Sequence, residues 1–475
     1  MTKKMEQTRR EFLRRTGCAA LGAAAFSAGF EKFGLINAYA AQAAPTDYRA
    51  LVCIFLSGGN DSNNTIVPLD AIGYGAYSAV RSASGLALEQ GQLLPITPAS
   101  IGTPFGLHPS LPELSTLWTQ QKLAIVANVG PLVQPLTRSQ YLSGAPRPYQ
   151  LFSHSDQVAQ WQTSRADART QIGWGGRTAD RTISFNGGAV FPMLTSVAGA
   201  AVFGQGLSTR PLAIASAPTA LNQVLVLNGF TTSAADVARR NSMDFLRTID
   251  RSATLVAAAS DATQQAVDII ASLGGSDPTL TTVFPNTGIG NQLKQVAKVI
   301  KLNQVSPSLS LNRQIFFCTL GGFDTHQNQI SGQQSLLAQL SAAMKALYDA
   351  TVELGVDSRV TTFTLSDFGR TLQPSGSGVG SVGTDHGWGS HQFVVGGSVL
   401  GGDFYGVPGP NGTVYPTLQL GGPNDTDTRG RWIPTSSVEQ YAATLATWYG
   451  LPTGDLPVVF PLLSRFTVPN LGFLM

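Results

Sequence analysis

The chain has 475 residues, 43% hydrophobic and 12% charged, a composition that supplies a buried core and excludes a highly charged disordered protein. With 51 glycines and 27 prolines it is loop-rich without being low-complexity. Of 31 basic and 28 acidic residues, seven and three fall within residues 1–40, so the rest carries a net −1 and shows no basic face for nucleic acid.

The chain opens with a segment that is not read as part of the fold. Arg9-Arg10 followed by Phe12-Leu13 has the form of a twin-arginine signal. A short Ala/Gly-rich run follows, and Ala38-Tyr39-Ala40 fits a small-x-small cleavage site. The run falls short of the roughly 20 apolar residues that a membrane span needs. Residues 1–40 are therefore read as a signal engaging the twin-arginine export machinery, with an uncleaved anchor as the alternative. Residues 41–475 are read as a domain destined for the periplasm or secretion. Cys18 lies in a poor lipidation context, after Arg15-Thr16-Gly17.

Beyond the signal, continuously apolar runs predict buried strands over 50–57, 123–130, 224–229, 314–322, 360–366 and 392–399. Cys53 and Cys318 lie inside two of these runs and are expected as buried free thiols, a disulfide being the alternative. Residues 160–280, rich in Ala, Thr and Ser with a helical part near 233–274, interrupt the pattern and read as an insertion or cap. Helical spacing marks 287–302 and 331–354, where Leu336, Leu337, Leu340, Met344 and Leu347 form a stripe ended by Gly355. A capping box of Ser436 and Glu439 is expected to start a helix that stops at Gly450. This alternation predicts an α/β fold with a largely parallel central sheet flanked by helices.

Ligands of such sheets bind beyond the carboxyl ends of the strands. Strand 50–57 runs into Asn60 and Asp61. Strand 314–322 runs into Asp324 and His326, and strand 360–366 into Asp367 and Arg370. Asp385, His386 and His391 precede the last strand. The chain has only five histidines, and three of them stand beside an aspartate in these glycine-flanked loops. Imidazole with carboxylate is the donor mix for zinc and related divalent ions. Taken singly, each aspartate also reads as a cap or turn residue and each histidine as a structural one. His108 is expected to be structural. Ser153, with His154 after it, begins a helical stretch, where backbone N–H groups suit a phosphate or sulfate ester; simple capping is the alternative.

The blocks LVCIFLSGGNDSNNTIVP, LFSHSDQ, FPNTGIGNQLKQVAKVI, GGFDTHQNQ, SDFGRT and GTDHGWGSHQFVVGG resemble, in order, those of the bacterial domain-of-unknown-function family 1501. That family is grouped with the alkaline phosphatase-like superfamily of phosphatases, sulfatases and metal-dependent mutases. The resemblance implies that fold with an inserted cap, and a site of one or two divalent metal ions, zinc foremost. It implies metal ligands among Asp61, Asp324, His326, Asp367, Asp385, His386 and His391, and Ser153 as nucleophile. Arg370 would hold a non-bridging oxygen or pair with a carboxylate. The implied substrate is a small-molecule or polymeric phosphate or sulfate ester, with no nucleic acid. The pattern departs from the superfamily in two places. Phe368 stands where a metal-binding histidine would follow Asp367, and Asp324 and His326 are more closely spaced than usual. A binding or assembly protein with a degenerate site is the competing expectation.

Overall fold

The computed structural model describes residues 47–225, 232–249, 251–273, 277–306, 309–376 and 381–475. The expected signal, residues 1–40, and most of the expected strand 224–229 lie outside them. The strands are β1 Arg49–Ser57, β2 Ile66–Pro68, β3 Leu94–Ile96, β4 Phe105–Leu107, β5 Leu123–Gly130, β6 Leu194–Ser196 and β7 Leu212–Ala213. They continue with β8 Arg313–Gly321, β9 Val360–Ser366, β10 Arg370–Ser375, β11 Gly383–His386, β12 Ser390–Gly396, β13 Phe404–Tyr405 and β14 Ser436–Ser437. Nine of them form one sheet in the order β13-β5-β12-β9-β1-β8-β6-β7, with β14 also on β5. Every pairing is parallel except those of β12. The expected α/β architecture with a mostly parallel sheet is thus observed.

The continuous apolar runs follow from burial on both faces. Along β1, Ala50, Val52, Ile54 and Leu56 enter one core, while Leu51, Cys53 and Phe55 enter the other. Helices Gly288–Val305 and Gln329–Glu353 cover the first face, and helix Val438–Tyr449 covers the second. Cys318 belongs to the first core and Cys53 to the second, so the two thiols face opposite sides of the sheet and stay free.

Three details correct the sequence reading. The box that starts Val438–Tyr449 uses Ser437 and Gln440, one residue on from Ser436 and Glu439, while the Ser436 hydroxyl accepts instead from the Val407 nitrogen at 2.8 Å. The last long strand begins at Ser390 rather than 392, which puts His391 inside it. Asp385 and His386 sit on β11 of a separate hairpin with β10. The stretch 160–280 contributes β6 and β7 to the central sheet, as well as helices Ala234–Leu246 and Thr254–Leu273. No helix among the described residues is long and apolar enough to cross a membrane.

Candidate metal centre

Parallel β9, β1 and β8 end at one rim, and β5 runs in the same sense because it is antiparallel to β12, as β9 is. The segments leaving that rim carry Asp324 and His326 after β8, Asp367 after β9, and His154 at the start of helix His154–Thr163 after β5. The β10–β11 hairpin adds Asp385 and His386.

Three imidazoles converge on one carboxylate oxygen. Asp324 Oδ1 lies 3.0 Å from His326 Nε2, 3.4 Å from His386 Nε2 and 3.4 Å from His154 Nε2. His326 and His386 bring their Nε2 atoms within 3.0 Å of each other. One donor atom each of His154, Asp324 and His386 fall within 4.8 Å of one another.

Two of the rings are hydrogen-bonded from behind at Nδ1, and a carboxylate stands beside the Nδ1 of the third. His154 Nδ1 lies 2.7 Å from Asp367 Oδ2, and His386 Nδ1 lies 2.7 Å from the carbonyl oxygen of Phe152. His326 Nδ1 is 3.3 Å from Asp385 Oδ1. An acceptor at Nδ1 assigns the proton there and turns the Nε2 lone pair toward Asp324, the arrangement found behind metal-ligating histidines. The carbonyl of Phe152 is aimed by a left-handed backbone, φ 71°, uncommon for so bulky a residue.

The protonation tendencies fit these contacts. The hydrogen bond to Asp367 raises the His154 pKa, burial opposing it. Burial lowers that of His386, with the charges of His154 and Arg370 adding to the effect. For Asp324, burial pushes the pKa up, but the hydrogen bond and charge of Arg370 outweigh it and the net shift is downward.

Arg370 is fully buried, and the carboxylate pairing is the role the structure gives it. Nη1 donates to Asp324 Oδ1 at 2.8 Å and to the Gly58 carbonyl, Nη2 to the Thr384 carbonyl, and Nε to Thr384 Oγ1. It positions Asp324 by these bonds. Gly58, with φ 115°, permits the close approach of strands here: a Cβ would lie 2.3 Å from the Asp324 nitrogen.

The remaining candidates divide. Asp367 reaches the cluster through His154; its Oδ1 accepts from the Gly58 nitrogen at 3.0 Å, and the side chain is 2% exposed. Asp385 reaches it through His326. Asp61 is buried one layer away in an ion pair with Arg81 at 2.6 Å, and its oxygens also accept from Asn63 and Gln329. These bonds satisfy the carboxylate. His391 is buried within β12, where Nδ1 accepts from the Asn128 nitrogen and the ring stacks on Tyr415. Burial pushes its pKa down to about 3, so it is neutral. Ser153 is the N-cap residue of its helix without making the capping hydrogen bond; its Oγ donates to Asp156 Oδ2 at 2.8 Å. His108 is buried and Nδ1 accepts from the Ser110 nitrogen, the structural role expected of it. Sequence reasoning passed over His154 as a ligand. Its signal is the block LFSHSDQ, in which the neighbouring Ser153 reads as the more obvious reactive group.

The donor set fits a single ion. A tetrahedral zinc with bonds of about 2.0–2.1 Å needs donors about 3.3 Å apart, and three imidazole nitrogens with one carboxylate oxygen are ordinary zinc donors. Asp324 Oδ1 meets that spacing with all three Nε2 atoms, and His326 meets it with His386, at 3.0–3.4 Å, while His154, Asp324 and His386 are the three residues whose donor atoms all lie within 4.8 Å of one another. Side-chain exposures of 35% for His154, 42% for His326 and 46% for Asp324 leave the cluster open to solvent on one side.

Residues 305–414 match the family model described as Protein of unknown function (DUF1501), and the resemblance drawn from the sequence blocks is borne out over that span. The matched span holds Asp324, His326, Asp367, Asp385 and His386, but not His154. No curated protein matches the chain. Solved structures align with it at low identity. The C-terminal periplasmic domain of EcEptC from Escherichia coli, in complex with zinc, is 9% identical over 74% of each chain, with a TM-score of 0.31. A putative sulfatase from Bacteroides thetaiotaomicron VPI-5482 is 9% identical over 87% of this chain and 75% of that one, at 0.30. Thermus thermophilus alkaline phosphatase is 11% identical over 69% and 60%, at 0.25. Likeness at this level says nothing about chemistry.

Proposed function

We propose that this chain is an exported metal-dependent hydrolase of phosphate or sulfate esters, with one divalent ion held by His154, His326, His386 and Asp324. One observation carries the reading: three Nε2 atoms converge on Asp324 Oδ1 while every Nδ1 faces an acceptor. Zinc is the ion this donor set suits best, and when bound it supplies a Lewis acid beside the substrate's anionic oxygens. The chain's own residues do the rest. Asp367 and the Phe152 carbonyl keep the Nδ1 protons of His154 and His386 in place. Arg370 fixes Asp324 from the buried side.

Ser153 is the nucleophile of this reading. It lies between Phe152, which touches His386, and His154 itself, and its hydroxyl is held by Asp156. Its Oγ passes its proton to Asp156 as it attacks phosphorus or sulfur, the bond to the ester alcohol breaks and the alcohol leaves with a proton, and water then hydrolyses the seryl ester, releasing phosphate or sulfate and restoring the hydroxyl. The twin-arginine form of residues 8–30 belongs to the same proposal, as does a polymeric or small-molecule ester as substrate.

A second reading, a non-catalytic metal-binding or assembly protein, is favoured by a different observation. The Ser153 hydroxyl is turned to Asp156, and four protein donors on one ion would fill a tetrahedron, as in closed structural sites. Elemental analysis of purified protein followed by assays with aryl phosphates and aryl sulfates separates the two. One bound ion with turnover that Ser153→Ala abolishes supports the hydrolase. One bound ion without turnover supports a non-catalytic metal-binding protein, and absence of an ion rejects the hydrolase and leaves an assembly role with a degenerate site.

A further inference from the structure

We infer that Arg429 and Arg431, on the loop 421–431, are positioning residues that aim two of the three metal-binding histidines from outside the donor set. The inference rests on the single-ion reading above and extends it to a segment beyond the family-matched residues 305–414.

The loop is built around one buried carboxylate. Asp425 is fully buried; its Oδ1 accepts from the nitrogens of Asp427 at 3.2 Å and Arg431 at 3.0 Å, and its Oδ2 from those of Gly421 and Gly430 at 2.9 Å each. Four backbone donors on one carboxylate fix the loop's course with no demand for a cation, since both oxygens are used. The loop is also pinned to β10, whose Leu372 and Gln373 nitrogens donate to the carbonyls of Gly430 and Arg429. Two arginines therefore leave a rigid base.

Each arginine reaches a different histidine. Arg429 Nη2 lies 2.7 Å from Asp385 Oδ2, and the other oxygen of that carboxylate lies 3.3 Å from His326 Nδ1. Without the guanidinium, Asp385 is free to rotate away from the ring. Arg431 grips His386 in two ways. Its Nε donates to the His386 carbonyl at 2.9 Å. Its guanidinium carbon lies 4.7 Å from the centre of the Phe152 ring, and the Phe152 carbonyl is the acceptor for His386 Nδ1. Nη1 meanwhile pairs with Asp427 at 2.8 Å. Two directions of hydrogen bonding plus a ring face are what a planar guanidinium supplies and an ammonium does not.

The test is metal affinity, measured on full-length, metal-stripped protein by zinc titration against a chromophoric chelator, with the visible spectrum of the cobalt-loaded protein as a second readout. Outer partners of metal-ligating histidines typically account for about 10–100-fold in affinity. Arg429→Ala and Arg431→Ala are each expected to weaken zinc binding by that range at one ion per chain, and to alter the cobalt bands. Arg429→Lys, facing a single carboxylate oxygen, recovers part of the loss; Arg431→Lys does not. Arg251→Ala, in the turn before helix Thr254–Leu273, where the arginine pairs with Asp261, keeps the wild-type values. Should Arg431→Ala not fold, the one-third-exposed Arg429 decides the matter alone. Wild-type zinc affinity and an unchanged cobalt spectrum in both alanine variants overturn the inference while leaving the metal site standing. A wild-type protein that binds no zinc rejects the metal reading itself, and the inference falls with it.

Discussion

Replacing Asp367 by asparagine exchanges one atom and reverses one hydrogen bond. Asp367 is almost wholly buried and both of its oxygens are used: Oδ1 accepts from the Gly58 nitrogen at 3.0 Å and Oδ2 faces His154 Nδ1 at 2.7 Å. The Gly58 N–H needs an acceptor, so the asparagine carbonyl stays on that side and the amide NH2 points at His154. Two donors cannot face each other, so the imidazole moves its proton to Nε2 and loses the lone pair directed at Asp324. The expected outcome is a zinc affinity lower by about 10–100-fold, equivalent to about 1.4–2.7 kcal/mol, with the fold intact. Competition titration of metal-stripped wild-type and Asp367→Asn protein measures this directly. Equal affinities would refute the role given to Asp367, and with it the assignment of the His154 proton to Nδ1.

Three further outcomes follow from the structure. Asp61→Ala leaves Arg81 buried and unpaired, which costs about 3–5 kcal/mol in urea unfolding; the folded fraction still binds one ion per chain, and a lost ion would make Asp61 a ligand. Gly58→Ala combines a left-handed backbone with a Cβ 2.3 Å from the Asp324 nitrogen, so it lowers stability by about 2 kcal/mol or more and weakens zinc binding; a neutral variant would contradict the packing described. Burial pushes Glu439 up to about 8, above its ordinary range, with Arg177 pulling against it. Its protonated form therefore supports the fold fully below about pH 4.5, and that support is lost as the pH rises through about 8. Glu439→Gln should match wild type in acid and exceed it by roughly 3–5 kcal/mol above pH 8, read from chemical unfolding across pH; parallel curves would contradict this.

The strands were legible because a sheet covered on both faces writes itself as uninterrupted apolar runs, and the rim followed from their parallel order. Asp324, His326 and His386 could be picked out as polar groups at strand-adjacent turns. What the sequence hides is which of these groups is satisfied elsewhere. Asp61 looks like a ligand until Arg81, twenty residues on, is seen to neutralise it. His391 shares a glycine-flanked stretch with His386, yet a start of β12 two residues early sends it into the core. His154 is set by the start of helix His154–Thr163, and nothing local separates a ligand there from a surface residue at a helix start. Arg429 and Arg431 act through Asp385, Phe152 and the His386 backbone, contacts that no spacing rule reports.

The most direct measurement is the metal content of the purified chain, by elemental analysis, alongside that of the His154→Ala/His386→Ala double variant. The predicted result is one zinc-class ion per wild-type chain and none in the variant. An ion-free wild type, or a variant that keeps its ion, would contradict the convergence of His154, His326 and His386 on Asp324 as a metal centre.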